Sequence, residues 1–161
     1  MNLSNPLADD SAGVYQQSYT TALRLLARRE HSELELRHKL IGRSFTDTMV
    51  DAVVMQLADE GLLSDQRFAE VYVRSRFERG YGPLRIRAEL RERGISGDLT
   101  EQMLAGLSRR WVESAGRQRS KRFGHQLPAD YRQRTKQMRF LQQRGFTSDQ
   151  IQAVFRVADR H

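Results

Sequence analysis

Cysteine is absent from this sequence of 161 residues, and proline occurs only three times. Without cysteine the chain has no disulfide, no thiol nucleophile and no thiolate metal ligand, which fits a reducing compartment. The longest apolar runs fall far short of the roughly 20 residues that a membrane-spanning helix needs. The opening stretch, MNLSNPLADDSAG, carries acidic charge and no apolar core, so it does not resemble a secretion signal. We therefore expect a cytoplasmic protein that contacts no membrane.

Lysine is also scarce, since only Lys39, Lys121 and Lys136 contribute to the 27 basic residues. The positive charge is thus carried by arginine guanidinium groups, which bind phosphates and carboxylates in a forked geometry and stack on aromatic rings. A genomic GC bias would produce the same arginine excess. The net charge of +7 nevertheless favours an acidic partner, such as nucleic acid or an acidic protein surface.

The charge is distributed unevenly along the chain. Residues 1–65 carry six basic and ten acidic residues, residues 66–108 carry eight and six, and residues 109–161 carry thirteen and four. The chain therefore has an acidic N-terminal part and a strongly basic C-terminal part.

A short pattern recurs three times. The stretch ELRERGISG from Glu89 has counterparts in KLIGRSFTD from Lys39 and FLQQRGFTS from Phe140. In each copy a leucine stands five positions before an apolar residue, which is followed by a hydroxyl residue. The copies are spaced by 50 and then 51 residues, and such a period is typical of stacked structural units.

Each copy has the composition of a junction between two helices. Gly94 and Gly145 suit the left-handed conformation that ends a helix, and Ser96 and Thr147 suit the cap that begins the next one. In the first copy Ser44 replaces the glycine, so we expect the helix there to end less cleanly.

Helical apolar spacing lies before and after each junction, and no stretch alternates with the period of a strand. The sequence therefore predicts an all-α fold of three tandem three-helix repeats, about nine helices, in an elongated and curved row. The expected parts are a disordered tail (1–14) and three repeats (15–63, 64–107 and 108–161). Repeats of this size bury little surface alone, so neighbours must share cores.

The basic residues of the last two repeats are the candidate binding surface. In the helix that opens with GYGP, Ile86 and Leu90 face the core and several arginines project outward. That face either binds a partner or is a solvated surface on which Glu89 pairs with a neighbouring arginine. Between Arg109 and Arg139 ten basic residues face only two acidic ones, and charges this dense repel unless an anion relieves them. The full candidate set is Arg74, Arg76, Arg79, Arg85, Arg87, Arg91, Arg93, Arg109, Arg110, Arg117, Arg119, Lys121, Arg122, Arg132, Arg134, Lys136 and Arg139.

Catalytic and metal sites are not predicted. His31 and His38 lack a nearby third ligand, and the other histidines are isolated. The GYGP turn lacks the later glycine and the preceding strand of a dinucleotide site, and no phosphate-loop lysine follows a glycine. No nucleophile has a plausible base, so we expect a binding protein without cofactor, metal or catalytic residues.

These stretches resemble the RecX regulatory proteins of bacteria. The first repeat contributes ALRLLARREHSELELRHKL, the second RFAEVYVRSRFERGYGPLRIRAELRERGIS and the third RFLQQRGFTSDQIQAVF. The resemblance runs from about Tyr15 to the C-terminus. It implies tandem three-helix repeats in a monomer that binds the RecA recombinase, chiefly as its filament on DNA. It also implies inhibition of ATP hydrolysis, strand exchange and the co-protease activity that starts the SOS response, with weaker, phosphate-mediated DNA binding.

Two other functions remain open from the residues themselves. Three-helix units with basic helices also suit a direct, non-sequence-specific DNA-binding module of helix-turn-helix type. Such a module would bind bare duplex as tightly as RecA-coated DNA, or more tightly. A scaffold for some other acidic protein is the third possibility, to be considered if neither RecA nor DNA binds.

Overall fold

The computed structural model describes residues 6–160, which form nine helices and no strand. These are α1 (Pro6–Arg28), α2 (Glu33–Ile41), α3 (Asp47–Asp59), α4 (Asp65–Glu78), α5 (Pro83–Glu92), α6 (Gly97–Ala105), α7 (Trp111–Phe123), α8 (Tyr131–Arg144) and α9 (Ser148–Ala158). They group as three successive three-helix repeats, so the all-α fold predicted from the sequence is confirmed. The chain divides into two compact units, one ending at Phe68 and the other beginning at Ala69.

The start of α1 differs from the expectation of a disordered tail over residues 1–14. The helix begins at Pro6, and residues 1–5 lie outside the described residues. Two tyrosines attach this helix to α3 and to the residue that follows it: the Tyr15 hydroxyl donates to the Gln56 side chain, and the Tyr19 hydroxyl donates to a Glu60 carboxylate oxygen at 2.6 Å. Both rings also pack partly against the core, which explains why the helix extends beyond the predicted boundary at residue 15.

The core of the first unit is aliphatic, and its residues recur at three- and four-residue steps along α1, α2 and α3. It consists of Ala22, Leu25, Leu36, Leu40, Val50, Val53, Val54, Leu57 and Leu63. Full burial of one leucine or valine side chain is worth about 1.5–3 kcal/mol. This cluster therefore supplies the main stabilisation of the first unit.

The three junctions share one backbone geometry. The backbone N–H of the apolar residue donates to the carbonyl of the leucine five positions earlier, at 3.4 Å for Phe45, 3.1 Å for Ile95 and 3.2 Å for Phe146. Ser44 adopts a left-handed φ of 71° where the other two copies have glycine. The first junction thus closes like the others despite the serine, at a conformational cost of about 1 kcal/mol.

The second and third repeats meet through a direct backbone contact within the second unit. The Gly82 N–H donates to the Arg144 carbonyl at 2.8 Å, and the Leu84 N–H donates to the Gly145 carbonyl at 2.9 Å. A Cβ atom on Gly82 would lie 2.3 Å from the Gly145 carbonyl carbon. Gly145 has a φ of 100°, and a Cβ there would lie 2.5 Å from the Arg85 Cβ. Both glycines are required because the two backbones touch.

A buried aromatic pair supports the same junction between repeats. Phe77 of α4 and Trp111 of α7 pack edge to face, with ring centroids 5.4 Å apart. Both side chains are buried. Such a pair adds about 0.5–1.5 kcal/mol beyond its buried area. The only tryptophan of the sequence is therefore a core residue between two repeats.

A buried histidine in the first unit is held neutral. His31 is 1% exposed, its Nδ1 lies 3.0 Å from the Arg29 carbonyl oxygen, and its Nε2 lies 2.9 Å from the Lys39 ammonium. Because an ammonium can only donate, Nε2 must accept and Nδ1 carries the proton. Burial, and then the nearby Arg29 and Lys39 charges, lower the pKa of His31 below 6.5, against the opposing effects of the Arg29 carbonyl and Glu35.

Replacing Gly82 by alanine should destabilise the second unit by about 1–3 kcal/mol, because the new methyl group overlaps the Gly145 backbone. Urea unfolding of the full chain, followed by circular dichroism, measures the change. Gly116→Ala in α7 is the matched control, since no atom lies within 4 Å of its Cβ position. It should be neutral or slightly stabilising. Equal stability of the two variants would contradict the proposed backbone contact.

Acidification should destabilise the first unit through His31. Its pKa is lower in the folded chain, so the unfolded chain binds the extra proton first as the pH falls below about 6.5. The stability that the neutral ring contributes is present above that pH and is lost progressively below it. We expect His31→Gln to flatten this part of the pH dependence of the unfolding free energy. An unchanged slope in the variant would refute the assignment.

Candidate functional site

The arginine-rich helix α5 is held largely by internal ion pairs. Arg87 makes two hydrogen bonds to the Glu101 carboxylate, at 2.6 and 3.2 Å. Arg85 and Arg76 both pair with Glu89, at 3.2 and 2.9 Å. These contacts support the second interpretation of this helix face, in which its arginines are paired with carboxylates of the same chain. Arg91, by contrast, is exposed.

Glu89 is the centre of this network. Burial opposes ionisation of its carboxylate, but the Tyr72 hydroxyl at 2.6 Å, Arg85 and Arg76 outweigh burial and lower the pKa of Glu89. Arg93 donates to the Glu89 backbone carbonyl at 2.9 Å, and its guanidinium lies 4.8 Å from the Tyr72 ring centroid. Arg76, Arg85 and Arg93 therefore stabilise the packing of the protein itself, although the sequence predicted them to be part of the binding surface.

Tyr81 of the GYGP turn is surrounded by guanidinium groups. Arg85 lies 4.3 Å, Arg144 4.4 Å and Arg76 5.1 Å from its ring centroid. Arg144 also donates to the Gly80 carbonyl at 3.2 Å, the Arg79 carbonyl at 2.5 Å and the Gln118 side chain at 3.2 Å. The Tyr81 ring thus packs against arginine side chains of the same chain.

Arg144 was not among the residues predicted from the sequence to be functional. A signal was present, because Arg43, Arg93 and Arg144 each stand three positions after the leucine of the repeated junction. A recurring cation at the C-terminal end of a helix suits the helix dipole and can bind nearby carbonyls. In the third repeat those carbonyls belong to the preceding repeat.

Arg119 must be removed from the predicted binding surface because its side chain is buried. It is 5% exposed, and its Nη1 lies 3.4 Å from both the Gln137 side-chain oxygen and the Gln126 carbonyl. Trp111, Ala115 and Arg119 follow one another at four-residue steps and lie on the buried face of α7. A buried guanidinium with these partners cannot meet an external anion.

Four other cations of α7 and α8 lie on the surface and line an open groove of about 910 Å³. Arg122 comes from α7, whereas Arg132, Lys136 and Arg139 come from α8 at four- and three-residue steps, on one face. Among the described side chains, those of residues 10–160, no carboxylate lies within ion-pair distance of these four cations. The lining also includes Asp130, so the groove retains a concentrated net positive charge of four cations against one carboxylate.

Aromatic rings that were not predicted as site residues lie among these cations. Phe123 and Phe140 pack edge to face in the groove, with centroids 5.4 Å apart. Tyr131, the first residue of α8, is 84% exposed. The sequence pattern gave no reason to place Tyr131 at the groove. In the structure Asp130 caps α8 by accepting the Gln133 N–H at 2.8 Å.

The remaining predicted cations lie outside the groove. Arg117 and Lys121 are exposed beside a depression of about 500 Å³. Arg74 and Arg110 border an apolar groove of about 380 Å³, and the Arg110 guanidinium lies 4.6 Å from the Phe77 ring centroid. Arg134 lies 4.7 Å from the Phe155 centroid and 3.9 Å from Asp159. Arg79 and Arg109 are also exposed.

The described chain offers neither a cluster of metal ligands nor a membrane-spanning helix. The described side chains, those of residues 10–160, include no cluster of three or more histidine, aspartate or glutamate residues that could hold a metal ion. Among the helices of this same range, none combines the length and the apolarity needed to cross a membrane.

Three family models match the chain in order. They describe the first three-helix domain of RecX over residues 19–57, the second over residues 64–104 and the third over residues 110–155. Together they span most of the sequence.

Curated relatives and solved structures agree with these models. A Regulatory protein RecX from Halorhodospira halophila is 49% identical over 138 residues, covering 86% of each chain. One from Ectopseudomonas mendocina is 40% identical over 157 residues, covering 98% of this chain and 99% of the relative. A crystal structure of RecX from Lactobacillus salivarius superposes with a TM-score of 0.80 at 24% identity, covering 93% of this chain and 99% of that one.

Removal of the Arg144 side chain should destabilise the second unit by about 2 kcal/mol, because charge-assisted bonds to the Gly80 and Arg79 carbonyls are lost. Arg139→Ala, in the same helix but on its exposed face, should change the unfolding free energy by less than about 0.5 kcal/mol. Urea unfolding of both variants tests this difference. A larger loss for Arg139→Ala would reverse our division into scaffold and surface.

Proposed function

The chain belongs to the RecX family of regulatory proteins, and we propose from this premise that it binds the RecA recombinase on DNA and inhibits its activities. The proposed effects are lower ATP hydrolysis, less strand exchange and less co-protease activity in the SOS response. Membership of this family makes the protein a regulator rather than an enzyme. The absence of cysteine fits the cytoplasmic location that this function requires.

The observation that carries the proposal within the structure is the cationic surface of α7 and α8. Lys136 and Arg139 on α8, and Arg117 and Lys121 on α7, are exposed. Only Arg117 has an acidic neighbour, Glu113 at 3.9 Å, among the described residues around these four. Such charges repel one another, so docking of an anionic surface would lower the free energy of the complex.

Inhibition requires that the protein distinguishes between two states of the filament. A ligand shifts a conformational equilibrium only by its difference in affinity for the two states. We therefore propose that the protein bridges or wedges between filament subunits and favours an inactive or dissociating arrangement. Arg74, Arg79, Arg87, Arg91, Arg109, Arg110, Arg117, Lys121, Arg122, Arg132, Arg134, Lys136 and Arg139 remain the candidate contact residues.

A direct DNA-binding function of helix-turn-helix type is the second candidate. The exposed face of α8 favours it, because Arg132, Lys136 and Arg139 could contact successive phosphates. Phosphate contacts position a protein without selecting a sequence. This function requires that bare duplex binds at least as tightly as RecA-coated DNA.

Charge reversal tests the proposed surface. RecA ATPase activity on single-stranded DNA is measured against increasing concentrations of the full chain. Lys136→Glu with Arg139→Glu, and separately Arg117→Glu with Lys121→Glu, should each raise the half-inhibitory concentration about tenfold or more. The physical reason is that each attraction to an anionic partner becomes a repulsion.

A control with the same change in net charge lies in α9 and just after it. Arg156→Glu with Arg160→Glu alters exposed residues that belong to neither group of candidates. It should raise the half-inhibitory concentration less than about twofold. Unchanged inhibition by both test variants would reject the surface, and absence of inhibition by the wild-type chain would reject the function.

A further inference from the structure

Lys39 of α2 has an exposed side chain whose nitrogen is held by a buried ring. Its Nζ lies 2.9 Å from the His31 Nε2, and the other ring nitrogen, Nδ1, donates to the Arg29 carbonyl at 3.0 Å. The His31 ring is 1% exposed and is therefore fixed in place. Because Nε2 accepts one N–H of Lys39, that hydrogen points inward and the rest of the nitrogen remains open to a reagent.

The surroundings of Lys39 favour the neutral amine over the ammonium. Partial burial and the positive charge of Arg29 lower the pKa of Lys39 below its ordinary value, against the opposing charge of Glu35. Arg43 and Arg28 lower this pKa further. A lysine is a nucleophile only after its nitrogen has lost the extra proton, so these neighbours increase the reactive fraction near neutral pH.

The same arginines form a local positive patch in an otherwise acidic part of the chain. Arg28, Arg29, Lys39 and Arg43 are four of the six basic residues in positions 1–65. Arg29 pairs with Glu35 at 2.8 Å. Arg28 and Arg43 are exposed, and no carboxylate among the side chains of residues 10–160 lies within ion-pair distance of either. Their charge is therefore available to attract a small anion.

The repeated junction does not require a lysine at this place. Fifty residues further along the chain, Tyr81 and Glu89 stand where the first repeat has His31 and Lys39. Glu89 is paired with two arginines and balances their charge. The Lys39–His31 contact instead disfavours positive charge on both of its members. Stabilisation of the fold therefore does not account for this pair.

We propose that Lys39 is a modification site whose amine is acylated by acyl phosphates, with His31 orienting the amine and the neighbouring arginines attracting the donor. An acyl phosphate joins an activated acyl group to a dianionic phosphate, so its two ends match the amine and the guanidinium groups. The inference goes beyond the proposed function, because Lys39 lies in the first repeat and is not one of the candidate contact residues.

The reaction is an acyl transfer. The lone pair of the neutral Lys39 Nζ forms a bond to the acyl carbon, and the bond from that carbon to the bridging oxygen breaks. The phosphate leaves with the electron pair and takes up the proton that the nitrogen loses. The resulting amide keeps one N–H that can donate to the His31 Nε2, but the positive charge is gone. Acylation thus changes the charge of the first repeat while a donor to the buried ring remains.

Reaction of the full chain with acetyl phosphate tests this inference. The sequence contains only three lysines, and Lys121 and Lys136 are also exposed beside arginines, so they are internal references. Peptide mass spectrometry after a short exposure measures the acetylated fraction of each lysine. At a pH of about 7.5 we expect Lys39 to react about threefold or more faster than either reference, because more of its nitrogen is neutral.

Two further measurements separate the state of the amine from its accessibility. The advantage of Lys39 should shrink as the pH rises toward about 10.4, the ordinary pKa of lysine, because all three amines then become neutral. In the urea-unfolded chain the three lysines should react at rates within about twofold of one another, because the surroundings of Lys39 are lost.

Arginine variants test the attraction of the donor. Arg43→Gln should slow acetylation of Lys39 by acetyl phosphate about twofold or more. Arg24→Gln removes the same charge from an exposed residue one helical turn before Arg28 and should have less than about half that effect. With p-nitrophenyl acetate, an uncharged donor, Arg43→Gln should slow the reaction less than it does with acetyl phosphate.

Equal reaction of the three lysines in the folded chain would overturn the inference, and so would an advantage of Lys39 that persists in urea or does not change with pH. Equal slowing of both donors by Arg43→Gln would contradict the role given to the arginines. If Arg43→Gln loses helical circular dichroism, the pH profile and the urea comparison of the wild-type chain decide. These measurements contain neither RecA nor DNA, so no outcome bears on the proposed function.

Discussion

The second unit depends on a close contact between two backbones. The turn at Gly82 meets the end of α8 at Gly145 so closely that neither position accommodates a Cβ atom. Two backbone hydrogen bonds of 2.8 and 2.9 Å connect the two segments. Because this contact fixes α5 against the end of α8, it also determines which arginines lie near the GYGP turn and which remain at the surface.

Arginine has two different roles in this unit, and the surroundings decide between them. Near the contact, Arg76, Arg85 and Arg144 pack around Tyr81, and Glu89 balances two of them. In the α7–α8 groove, carboxylates are scarce and the guanidinium groups face solvent. Exposed ion pairs add little stability by themselves. The value of the first group lies in positioning the repeats, whereas the second group leaves its charge available for a ligand.

Local sequence chemistry was sufficient to predict the repeats and their boundaries between helices. The hydroxyls of Ser96 and Thr147 cap the helices as expected, and Gly94 and Gly145 have positive φ. The candidate site was predicted less well, because the residue type alone does not distinguish an arginine on the buried side of a helix from one on the exposed side. The four-residue steps of Trp111, Ala115 and Arg119 would have indicated that Arg119 is buried. Nothing local indicated the contact of Arg144 with the preceding repeat, since it depends on residues more than 60 positions away.

The recurring junction shows how one sequence pattern supports different uses. Arg93 binds a carbonyl of its own helix, whereas Arg144, at the same place in the next repeat, binds carbonyls of the preceding repeat. The helix dipole favours a cation at both positions, so the local requirement is satisfied in either case. What differs is the partner that the surrounding chain supplies. The third repeat therefore uses its recurring arginine to join its neighbour. The additional cations of α7 and α8 are not part of that junction, and they are the ones that form the proposed binding surface.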